Sequence, residues 1–135
     1  MPVPSPHPWV DVRRYPIVAI VFPLAPKTAE VSLLTLALRR FANELSEPIA
    51  IITDLSNLRV SDPDGRVAYT EFVKDMRTVS GKWTVATAVI LKNPIQRAML
   101  NLHAVMVGKT PYPVRSFPST DEAVPWLNSR FCGNR

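Results

Sequence analysis

The chain reads as an α/β domain with a mostly parallel sheet of four to five strands and flanking helices. Three runs predict the strands: IVAIVF at 17–22, IAIIT at 49–53 and TVATAVIL at 84–91. Each is β-branched and continuously apolar, the composition of a strand buried on both faces. Between the runs the apolar period lengthens to three and four, which is the helical period. This alternation over 135 residues is the pattern of one domain with one core.

The elements follow in order. MPVPSPHP, residues 1–8, alternates proline with other residues and predicts a flexible, extended arm. The domain proper is expected over 9–131, with 132–135 as a tail. WVDVRRY (9–15) alternates enough for a short strand, and Tyr15-Pro16 marks a bend before the first core strand. Val31, Leu34, Leu38, Phe41 and Leu45 then form one helical stripe. Thr28 is placed to cap that helix, with Glu30 in its first turn. Tyr69, Phe72, Val73, Met76 and Val79 form the next stripe, closed by Ser80-Gly81. Asn93-Pro94 opens a third helix carrying Ile95, Met99, Leu102 and Met106. YPVRSF (112–117), flanked by prolines, reads as an edge strand. Ser119 and Glu122 make a capping box for a last helix that buries Ala123, Leu127 and Phe131. Pro125 lies deep enough in it to kink or shift the first turn.

Composition narrows the function classes. Hydrophobic residues make up 47% and charged residues 20%, the balance of a globular domain. The longest apolar run, PIVAIVFPL at 16–24, is too short to span a bilayer, and the N-terminus does not read as a signal peptide. One cysteine, Cys132, excludes an internal disulfide and fits a reducing cytoplasm. The net charge of +5 raises nucleic acid as a partner, but no basic run exceeds two residues. The charge predicts a solvated surface, and is compatible with an acidic protein partner.

Catalytic and ligand motifs are missing. Only His7 and His103 are histidines, and neither accompanies a nucleophile motif. No cysteine–histidine pairing supports zinc, and neither dinucleotide nor P-loop glycine patterns occur. No cofactor is expected. The polar concentration that remains is TDLSNLRVSDPDGRV, residues 53–67. Asp54 follows a strand there, as a receiver-domain phosphoacceptor does, but FPLAP replaces the acidic magnesium pair and YPVRSF offers arginine for the required lysine. A bland account also fits: Asp62 as helix N-cap, Pro63 as first helical residue, Asp64 as an anion at the dipole's positive end.

The same stretch resembles the signature of the STAS family, the sulphate-transporter and anti-sigma-factor-antagonist domains. That signature is an apolar strand, Asp-Leu-Ser, a short loop, then Asp-Ser-Ser-Gly opening a helix. Asp54, Leu55 and Ser56 match its first part, Asp62 and Gly65 the ends of its second. SFPSTDEAVPWL is similar to the family's last strand and helix, and the element order agrees over about 9–131. The resemblance implies a non-enzymatic cytoplasmic protein-interaction domain whose partner is a kinase or an anti-sigma-like protein. A homodimer is also compatible. The implied contact residues are Asp54, Ser56, Asp62, Asp64, Gly65 and Arg66, with Asp64 and Arg66 facing solvent beside Ser56. In regulatory members the serine before the glycine is phosphorylated; here that place holds Asp64, so the usual switch cannot operate at it. The alternative is a carrier of small apolar ligands or lipids, similar in topology to CRAL-TRIO domains. A tunnel of several hundred cubic ångströms beside the sheet would favour it.

Overall fold

The structure is a computed structural model that describes residues 4–45, 47–59, 63–79, 83–92, 94, 98 and 112–133. Five strands carry the fold: β1 (Val10–Asp11), β2 (Ile17–Val21), β3 (Ile49–Asp54), β4 (Thr84–Ile90) and β5 (Val114–Phe117). They lie in the sheet in chain order, β1-β2-β3-β4-β5. β1 is antiparallel to β2, and every later pair is parallel. The expected α/β class and mostly parallel sheet are both present. Three helices are described over most of their length: α1 (Thr28–Glu44), α2 (Pro63–Val79) and α3 (Thr120–Gly133). The stripe expected from Ile95 to Met106, together with His103, Ser80-Gly81 and the capping residue Asp62, lies outside the described residues.

Strand alternation sorts the core into two layers. Val18, Ile20 and Phe22 of the β2 region, with Ile51 and Val89, face Val31, Leu34 and Leu38 of α1 and Tyr69, Phe72 and Met76 of α2. Phe22 is fully buried at the centre, its ring 5.0 Å from Phe72, 5.9 Å from Tyr69 and 5.7 Å from Trp9. Burial pushes the Tyr69 hydroxyl pKa well above its ordinary value. On the other face Ala50, Ile52, Ala86, Ala88 and Ile90 meet Ala123 and Leu127 of α3.

Right-handed crossovers in a sheet whose strands advance in one direction place the connecting helices on one side. α1 and α2 accordingly pack side by side on the first face. Among the described helices, α3 alone covers the second face, against β4, β3 and β5. β2 is therefore less buried than its composition predicts: Ala19 is only half-buried and Val21 is 36% exposed.

Local details depart from expectation in three places. WVDVRRY contributes only Val10–Asp11 to the sheet, because the chain turns from Val12 onward, with Tyr15 N–H bonded to the Val12 carbonyl at 3.0 Å. The Tyr15-Pro16 peptide bond within that turn is cis. Thr28 does not cap α1; the extended residue is Lys27, and Glu30 turns back to accept its N–H at 3.0 Å. Thr28 is instead the first helical residue, and its carbonyl accepts the Ser32 hydroxyl. Finally, α3 contains the exposed Pro125, and only half of the expected Ser119–Glu122 capping box forms: Ser119 Oγ accepts the Glu122 N–H, whereas Glu122 Oε2 accepts the Ser119 hydroxyl and not its N–H.

Candidate functional site

Parallel strands put their carboxyl ends at one edge, where the β2–α1 and β3–α2 loops meet. Val21 and Asp54 are register partners at that edge, and the Phe22 N–H donates to the Asp54 carbonyl at 3.0 Å. Beyond β3 the chain makes a tight turn: Asp54 Oδ1 accepts the Ser56 N–H at 2.9 Å, and Leu58 N–H bonds to the Leu55 carbonyl. Leu55 and Leu58 are buried beneath this turn, so the apolar residues of Asp-Leu-Ser-Asn-Leu anchor it. The Arg59 N–H then reaches the Leu24 carbonyl at 2.9 Å and ties the two loops together.

Pro63 is the first residue of α2, where its missing N–H costs nothing. Asp64 is exposed in the first turn, and its charge suits the positive end of the helix dipole. Gly65 is buried and Arg66 half-buried, so Arg66 is less exposed than expected. Ser56 is half-buried.

Of the six contact residues expected from the sequence, five are described, and they divide between two places. Ser56, Asp64, Gly65 and Arg66 belong to the loop and helix start on the α1–α2 side of the edge. The Asp54 side chain belongs to the opposite face, in register with Val21 and Ile90. There it lines an open groove of about 470 Å³ with Asp11, Arg13, Arg14, Ile17, Ala19, Val21, Ile52 and Thr120.

The groove is the part of the second face that α3 leaves uncovered. Ile17, Ala19 and Val21 alternate along β2 and form its floor together with Ile52, the register partner of Ala19. Asp11 stands opposite Ala19 on β1. At the amino end of β2, Arg13 forks onto Asp11 with Nε 3.0 Å from Oδ1 and a 2.7 Å Nη2–Oδ2 ion pair. The Arg13 guanidinium holds the Asp11 carboxyl down at about pKa 2. Arg14, on the same rim, also lowers the Asp11 pKa through its charge, but makes no side-chain hydrogen bond or close ion pair among the described residues.

Leu24 and Val67 were not singled out by the sequence. Both flank the loop and are large apolar residues left 51% and 54% exposed. Leu33 and Leu36, at 64% and 45%, add a second exposed apolar stretch on the outer side of α1. Their signal was present as apolar residues out of phase with the buried stripe of their helix. Arg14 and Thr120 carried no such signal, because only the sheet brings them to one groove.

No group of three potential metal ligands occurs among the described residues, nor is any described helix long and apolar enough to cross a membrane. Comparison with family models, curated proteins and solved structures finds no match to this chain.

Proposed function

We propose that this is a non-enzymatic protein-interaction domain of STAS-like build, resembling anti-sigma-factor antagonists but lacking their phosphoserine switch. The observation that carries this reading is the exposure of Leu24 and Val67 on either side of the Ser56–Arg66 loop. Large aliphatic side chains left exposed beside polar ones mark candidate contact surfaces. A helix start needs Asp64 and Pro63, but it does not need two exposed aliphatic side chains beside it. Asp64 stands where the family's phosphorylated serine would, so that position carries a permanent single negative charge. The partner would be a kinase or an anti-sigma-like protein in the cytoplasm.

The alternative, a carrier whose helices part around an apolar ligand, has less support. Residues between the sheet and α1 and α2, such as Ile20, Leu34 and Phe22, are fully buried against one another. Ligand-sized space lies on the opposite face.

The test is affinity capture from the native cell with the intact protein and with the Leu24→Asp/Val67→Glu double variant, both shown to be folded. A kinase or anti-sigma-like protein retained by the former and lost from the latter is the expected result. Equal retention by both proteins, or retention of neither class by the intact protein, would refute the reading.

A further inference from the structure

We propose that the groove beside β2 is a binding site for a small elongated amphiphile with a carboxylate at one end and an ammonium at the other. The site lies on the face away from Leu24 and Val67 and goes beyond the protein-contact reading. Its volume, about 470 Å³, falls inside the range of roughly 300–1,000 Å³ typical of small-molecule sites.

The occupant follows from the lining. The floor is apolar throughout: Ile17, Ala19, Val21 and Ile52. Ile17 and Val21 are four residues apart on one strand, so the groove runs about 13 Å at the usual rise, although Ile17 and Ile52 are themselves buried and the accessible apolar part is Ala19 and Val21. Asp11 stands beside the middle of the floor, opposite Ala19, but its charge is offset by the Arg13 fork, which leaves the charges of Arg14 and Asp54 at the two ends. Near Ile17 stand Arg13 and Arg14; the Arg13 fork is spent on Asp11, whereas the Arg14 guanidinium acts on Asp11 only through its charge and makes no side-chain hydrogen bond or close ion pair among the described residues, so its donors are open. A planar guanidinium with open donors takes a carboxylate by two parallel hydrogen bonds. Near Val21 stands Asp54, half-buried, with Oδ1 accepting from Ser56 and Oδ2 without a donor among the described residues. A half-buried carboxylate with one open oxygen takes an ammonium or another strong donor, and it repels a second anion. Thr120, at the start of α3, adds a hydroxyl at this end. A purely anionic amphiphile would satisfy Arg14 and face Asp54; a purely cationic one would do the reverse. The doubly ended molecule satisfies both while its chain covers Ala19 and Val21.

The probes are ω-aminodecanoate, decanoate and decylamine, titrated into the full ¹⁵N-labelled chain and followed by amide chemical shifts. ω-Aminodecanoate should give saturable shifts at Ala19, Val21, Ile52 and Thr120, with each single-ended probe binding at least several-fold more weakly. Arg14→Glu, at an exposed position, should cost about tenfold for ω-aminodecanoate and spare decylamine, whereas Asp54→Asn should spare decanoate. Ala19→Trp should block all three probes while the remaining spectrum stays native. The proposal fails if the groove amides do not saturate, if the three probes bind equally, or if Arg14→Glu changes nothing. Shifts confined to the α1–α2 side would also overturn it. Loss of partner capture with Leu24→Asp/Val67→Glu bears only on the other face, so either reading can fail alone.

Discussion

The backbone N–H of Arg59 donates to the carbonyl of Leu24 at 2.9 Å, so the loop leaving β3 is fastened to the loop leaving β2. The bond uses main-chain atoms only, and the Leu24 side chain stays 51% exposed beside it. Holding this apolar side chain at the surface therefore does not depend on its packing. Leu24→Asp should change stability by no more than about 0.5 kcal/mol in urea unfolding. A loss of several times that would show that Leu24 contributes to the core and not to a contact face.

Neighbouring leucines of α1 should behave in opposite ways. Leu34 is fully buried against the sheet, and Leu33 is 64% exposed. Leu34→Ala should cost about 2–5 kcal/mol, through lost transfer energy and the cavity left behind. Leu33→Ala should be nearly silent. Paired urea titrations of the two variants check the helix phase directly.

Ser119 Oγ accepts the Glu122 N–H at 3.3 Å, a long bond for a cap. Ser119→Ala should accordingly fall in the lower part of the usual capping range, about 0.5–1 kcal/mol. The stability loss is read from the shift in the denaturant midpoint. Glycine at the same position should cost less than alanine, since it also favours the N-cap conformation.

Among the described residues, His7 and Asp11 have pKa values lowered from their ordinary ones. Burial lowers the pKa of His7 below its ordinary 6.5, and its Nδ1 accepts the Trp9 N–H at 3.1 Å, which the neutral ring alone can do. The unfolded chain then binds the proton more readily, so His7's contribution is complete above pH 6.5 and declines as pH falls through that value. Asp11, held at about 2 by Arg13, contributes above its ordinary 3.8 and loses that contribution as pH falls towards 2. The windows are separate. Stability measured between pH 7 and 5 should decline with a shallow slope that is reduced in His7→Gln and unchanged in Asp11→Asn.

Ser56 should not be a required phosphoacceptor. Its N–H is already bound to Asp54, and a phosphate there would add about −1.5 to −2 charge beside that carboxylate. Mass spectrometry of protein recovered from its native cell should find Ser56 and Ser61 unmodified or substoichiometric. Near-complete, condition-dependent phosphate on either would restore a regulated antagonist.

How much of this was legible beforehand depends on the range of the interaction involved. Strand identity in IVAIVF, IAIIT and TVATAVIL, the helix phase of Val31, Leu34 and Leu38, and the Ser119–Glu122 cap all follow from neighbours within a few residues. Such features are written in period and composition, so they could be read directly. The capping of α1 could not: Thr28 was the better capping residue by type, but the extended conformation fell on Lys27, whose N–H is bonded to Glu30. β2 shows the larger gap. Its residues are apolar on both sides, yet Ala19 and Val21 remain uncovered because α1 and α2 lie on one face and α3 stops over β3–β5. The same distribution of helices decided the candidate sites. Asp54 and Asp64 stand ten positions apart in one polar stretch, but strand alternation turned Asp54 to the second face, into the groove that Arg14 and Thr120 also line. Local chemistry determined the elements and their buried sides. Which polar residues share a surface was decided only when the sheet set its register and the helices chose a face.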